Sequence, residues 1–150
     1  MQTLVPTFRE LTREEIHALL GRNRVGRLAY AFHNNVDVET VPYVYDSSWV
    51  YGRITPGMKL ASSAHHRFVA FEVDEVDSPV AWRSAVVRGA FYLLLSEGSA
   101  PDRRVYERAR ALLDEAFPSG GHDAETAVPY PLFRIPAYQA SGRACEAQSG

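Results

Sequence analysis

The stretch VGRLAYAFHNNVDVETVPYVYDSSWVYGRI, residues 25–54, decides the fold. Val25, Leu28, Tyr30 and Phe32 are strand formers, and the His33-Asn34-Asn35 cluster after them reads as a turn. Val38 to Tyr45 makes a second strand, Asp46-Ser47-Ser48 a second turn, and Trp49 to Ile54 a third strand. Strands joined by turns this short can pair only antiparallel, so the segment is a meander. Pro42 has no N–H to give a ladder, which places it at an edge or a bulge.

The same reading extends in both directions. Upstream, Thr12-Arg13-Glu14-Glu15 is a capping box, and Ile16, Leu19 and Leu20 follow at helical spacing. A helix over about 13–20 is predicted, ended by Gly21 with positive φ. Downstream, Thr55-Pro56-Gly57 opens a short helix over about 57–65. Phe68 to Val76 alternates Val69, Phe71 and Val73 against a face that carries acids, and so reads as a half-buried strand. Trp82 to Leu95 is a long strand with Gly89 as a bulge or bend. Ala100-Pro101-Asp102 starts an amphipathic helix with Val105, Ala109, Leu112, Leu113 and Ala116 inward. Residues 131–138 form a closing strand, and the chain from about 142 is a loose tail. The total is one α+β domain over 1–150, a six-stranded antiparallel barrel decorated by helices. Val25, Leu28, Val69, Phe71, Val73, Val86 and Phe91 are expected in its core.

Composition narrows the function. Sixteen Lys and Arg against 18 Asp and Glu give a net charge of −2, without the basic excess of a nucleic-acid binder. The single cysteine, Cys145, cannot form an internal disulfide, and no zinc-type Cys/His spacing occurs. No run approaches the roughly 18 apolar residues of a membrane span, so a cytoplasmic location is expected. Phosphate-loop, nucleophile-elbow and zinc-protease motifs are missing from the sequence.

What remains is a constellation: Val41-Pro42-Tyr43, Tyr51-Gly52-Arg53, Gly57-Met58-Lys59 and Trp82-Arg83-Ser84. Two readings of it stand side by side. Tyr43, Tyr51 and Trp82 can be barrel core with Lys59 solvated, or the set can hold a flat aromatic ligand whose phosphate meets Lys59 and Arg53. His65-His66-Arg67 reads as the basic end of a helix, and Asp74, Glu75 and Asp77 as a solvated strand end. Cys145 has no base nearby to activate it.

The order of these segments resembles the pyridoxamine 5′-phosphate oxidase-like split-barrel flavoproteins, in particular their small bacterial branch near the nitroimidazole reductases. The resemblance rests on Val25-Gly26-Arg27-Leu28-Ala29, on the four pieces above, on Val69-Ala70-Phe71-Glu72-Val73 and on the run to Gly89. It continues more weakly through Leu132-Phe133-Arg134-Ile135 and Ser141-Gly142-Arg143. It implies a homodimer with FMN between subunits and a small-molecule substrate. Val41, Pro42, Tyr43, Tyr51, Gly52, Arg53, Trp82 and Ser84 would then line the cofactor, and Lys59 would bind its phosphate. A flavin-storage module, or a relative using deazaflavin or haem, carries the same resemblance. The chain departs from the oxidases at Met58, where they carry Arg, and from the nitroimidazole reductases at Arg53, where many carry His.

Overall fold

The computed structural model describes residues 3–58, 67–118, 120–126 and 128–150. Its elements run β1 (Leu4–Glu10), α1 (Arg13–Arg22), β2 (Val25–Phe32), β3 (Asn35–Asp46), β4 (Trp49–Arg53), β5 (Arg67–Ser78), β6 (Ala81–Leu94), α2 (Ala100–Ala116), β7 (Leu132–Pro136) and β8 (Gln139–Ser149).

Strands β2 to β7 close on themselves in the order β6-β5-β2-β3-β4-β7, with β7 returning to β6, and all pairs are antiparallel. This is the six-stranded barrel predicted from the sequence. Two long strands make closure possible by serving two walls. β3 pairs with β2 up to Pro42 and with β4 from Tyr43, while β6 pairs with β8 over Trp82–Arg88 and with β7 over Tyr92–Leu94. Pro42 thus sits at a change of partner with no shift of register. Gly89 is also no bulge. It lies where β6 changes walls, and a Cβ there would stand 2.8 Å from the Pro136 carbonyl oxygen.

Both early hairpins turn through two residues with positive φ, His33-Asn34 and Ser47-Ser48, which matches the twist of the flanking strands. α1 opens on the predicted capping box: Thr12 Oγ1 accepts from the Glu15 amide, and the Glu15 carboxylate accepts from the Thr12 amide at 2.9 Å. It does not end at Gly21. The helix continues to Arg22, and the Asn23 amide donates to the Leu19 carbonyl at 2.9 Å, so a side chain closes the turn instead of a left-handed glycine.

α1 plugs one end of the barrel with Ile16, Leu19 and Leu20, against a core of Leu28, Val41, Tyr43, Val69, Phe71, Val73, Val87, Phe91, Phe133 and Ile135. A second cluster joins α2, through Tyr106, Ala109 and Leu113, to Val44, Tyr51, Leu94 and Leu132 on the outside of the β3-β4-β7 wall. Two expected core residues lie elsewhere. Val25 begins its strand and is exposed, and Val86 is only half-buried because Ala85, Val87 and Phe91 hold the inward phase of β6.

The region expected to be a loose tail is a strand. β8 pairs with β6 on one side and with β1 along seven residues on the other. Its small residues Gly142 and Ala144 pack inward while Ser141 and Arg143 face out. The short helix expected over 57–65 falls largely outside the described residues; before it, Pro56 and Gly57 form a turn.

Candidate functional site

Residues that face each other across antiparallel strands share a side of the sheet, so the register maps the outer face of the β2-β5-β6-β8 wall. One row reads Thr40, Arg27, Glu72, Val86, Ser141, and the next Asp74, Ser84, Arg143, Glu10. A third row reads Val76, Trp82, Cys145, Phe8. Pro42, opposite Val25 and two residues beyond Thr40, lies on this side as well. Pro42, Trp82 and Ser84 therefore share one outer face. Trp82 packs against Phe8 at 6.2 Å and helps to cover Cys145, which is buried.

The other candidates separate from these three. Val41 and Tyr43 point into the barrel, where the Tyr43 hydroxyl donates to the Leu20 carbonyl at 2.6 Å and burial raises its pKa. Gly52 also faces inward: a Cβ there would lie 2.4 Å from the Phe133 ring, so the close approach expected at this glycine is made by a core aromatic. Tyr51 lies under α2. Arg53 points the same way and is only 10% exposed; its Nη2 meets Asp114 at 2.8 Å and the Phe117 carbonyl at 3.3 Å. A guanidinium at the end of α2 neutralises the orphan carbonyls there. It borders a cavity of about 360 Å³ that Tyr106, Arg110, His122 and Tyr130 also line. Lys59 and its neighbours through residue 66 lie outside the described residues, as does the His65-His66 pair.

On the outer face Asp74, expected to be part of a solvated strand end, meets two charged residues to which the sequence reading gave no role, Arg27 and Glu72. Arg27 Nη1 lies 3.4 Å from Asp74 and 3.7 Å from Glu72. Burial, and then the neighbouring Asp74, push the Glu72 carboxyl up to about 7. Glu75, three residues on, is held down to about 2, chiefly by the Arg22 guanidinium at 2.7 Å. The alternation of acids along β5 was the available signal, but only the register shows which of them meets a cation. Among the described residues no group of three or more His, Cys, Asp or Glu could hold a metal ion.

A family model described as pyridoxamine 5′-phosphate oxidase matches residues 12–144. The chain belongs to the pyridoxamine 5′-phosphate oxidase family. Among solved structures, this family member is similar to an FAD-binding protein of Mesorhizobium loti at 29% identity, covering 91% of this chain and 97% of that one, with a TM-score of 0.71. An FAD- and haem-binding protein of Mycobacterium smegmatis shares the fold at 16% identity, with a TM-score of 0.70, covering 94% of this chain and 75% of that one. A proposed 5-nitroimidazole antibiotic resistance protein of Bacteroides thetaiotaomicron does so at 12% identity and a TM-score of 0.67, covering 99% and 96%. No curated protein sequence matches the chain. No helix among the described residues is long and apolar enough to cross a membrane.

Proposed function

We propose that this family member is a flavin-dependent oxidoreductase that works as a homodimer on a small molecule, with FMN held between the outer sheet faces of two copies. The observation that carries the reading is the meeting of Pro42, Trp82 and Ser84 on one outer face of the sheet. The residues there fit a flavin: Pro42 and Trp82 offer apolar surface to a ring system, Arg27 and Arg143 stand beside them as cations, and the Ser84 hydroxyl has no partner among the described residues with which to compete for a ring carbonyl. Bound there, the flavin would supply the redox chemistry, and the protein position and electrostatics. Pro42 and Trp82 would pack on the rings, and Lys59, assigned from the sequence, would neutralise the phosphate.

A second copy is the natural cover for this face. Val36, Val38 and Phe68 on it are 74%, 64% and 66% exposed. Around them Arg27 and Arg88 alternate with Glu72 and Asp74, a self-complementary pattern suited to a two-fold axis.

The absorption spectrum of the purified protein tests the cofactor. Flavin bands are expected, and bleaching of those bands by a nicotinamide donor separates an enzyme from a storage module. A protein without a chromophore that also fails to take up added FMN or FAD overturns the reading, and a Soret band replaces it with haem. FAD is the second reading, favoured by the Mesorhizobium relative. Chromatography of the released cofactor decides between the two.

A further inference from the structure

A cleft of about 540 Å³ opens between α1 and the β7–β8 corner and shares no residue with the cavity beside Arg53. Its floor is apolar, built from Leu11, Ile16 and Ala137, and its rim carries Arg13 from α1 and Arg143 from β8, with Glu10 as the one acid of the lining. Tyr138, at the corner itself, forms an exposed aromatic wall whose ring packs against Trp49 at 6.2 Å.

The two cations are unequally placed but similarly available. Arg13 Nε donates to His17 Nε2 at 3.4 Å. The Nδ1 of the same imidazole hydrogen-bonds the Tyr45 hydroxyl, on which the ring also stacks at 5.8 Å. This chain from Tyr45 through His17 tethers Arg13 at one nitrogen and leaves both Nη groups without a hydrogen bond to a described residue. Arg143 lies 5.6 Å over the Phe8 ring and makes neither a hydrogen bond nor an ion pair with any described residue. Two guanidiniums with free forks, facing one cleft from a helix and a strand, are suited to a carboxylate. The apolar floor and the Tyr138 ring beside them are suited to an aromatic body, and the volume falls in the range of small-molecule sites.

We propose that this cleft binds a small aromatic carboxylate, with Arg13 and Arg143 on the acid group and the ring between Tyr138 and the floor. Arg143 stands opposite Ser84, so the cleft adjoins the face proposed for flavin, and Arg13→Gln, on α1, is the variant that separates the two readings. Calorimetric titration of the purified protein with benzoate, its neutral isostere benzamide and the ringless acetate tests it. Saturable benzoate binding is expected, with benzamide and acetate each at least about tenfold weaker. Arg13→Gln and Arg143→Gln should each weaken benzoate about tenfold, Arg13→Lys should recover part of the loss, and Arg108→Gln, an arginine paired with Asp46 elsewhere, should change nothing. All three positions are exposed, and an unchanged thermal unfolding midpoint verifies that each variant folds. Failure to saturate by about 10 mM benzoate, equal binding of benzamide, or indifference to both glutamine variants overturns the proposal. Flavin content measured on the same samples is expected to be unaffected by Arg13→Gln.

Discussion

Glu72 and Glu75 stand three residues apart on β5, yet their environments move them in opposite directions. Glu72 is raised to about 7, so between its unfolded value of 4.5 and 7 the folded chain keeps a proton that the unfolded chain has lost. Stability contributed at this site therefore falls as pH rises through that window, and Glu72→Gln should flatten the decline in urea midpoints between about pH 5 and about pH 7.5. Glu75, lowered to about 2, acts in the opposite sense: its ion pair with Arg22 stabilises the fold above 4.5, and the contribution is lost as pH falls toward 2. Replacing Glu75 by Gln should lower stability at neutral pH by about 1 kcal/mol, since the pair is partly solvated, and leave stability near pH 2 unchanged. Gly52 offers a test of packing, because Gly52→Ala drives a methyl into the Phe133 ring and should cost about 1–3 kcal/mol in chemical denaturation. For Lys59 the argument is chemical: Lys59→Ala should weaken FMN about ten- to hundredfold while riboflavin, which lacks the phosphate, binds parent and variant alike. Equal FMN affinity in the two proteins would assign the phosphate to other cations.

At the level of elements, the turn between β3 and β4 holds two serines in the left-handed region, where neither is at ease. Exchanging Ser47-Ser48 for Asn-Gly, the pair that this hairpin geometry favours, should raise stability by about 0.5–1 kcal/mol in thermal or urea unfolding. The sequence showed these turns, the capping box of α1 and the strands from Val25 to Leu94 because each rests on local chemistry: turn formers, a reciprocal cap, alternation of period two. β1 and β8 were not legible for the same reason. Gln139–Ser149 contains no β-branched or aromatic residue, and only its partners β6 and β1, each remote in sequence, make it a strand. The candidate site divided along the same line. Glycines and aromatics look alike in sequence whether they pack on a ligand or on a core, so Gly52 and Tyr43 could be placed only once the register was known. Arg53 was visible as a cation, but its engagement with the end of α2 was not, because the helix that it caps begins 47 residues later.

On the scale of the whole molecule, a sheet face that joins the exposed apolar patch of Val36, Val38 and Phe68 to charges of both signs should join two copies. Introducing a charge into that patch, as in Phe68→Asp, should yield a monomer in sedimentation velocity at micromolar concentration; the parent should sediment as a dimer, and a parent found as a monomer would contradict the pairing. If flavin lies between the copies, the monomeric variant should also lose its chromophore. The closing of the barrel has a further bearing, on the order of events during folding. β7 is the stave that joins β4 to β6, and it arrives only after α2 and the loop beyond it. Until residues 132–136 are in place, two strands present open edges, the type of surface on which chains aggregate. The early hairpins can form on their own, but productive folding must wait for ladders between residues far apart in the chain, such as Phe8 with Cys145. Refolding in milliseconds to seconds is expected, with losses that grow with protein concentration while the last stave is missing.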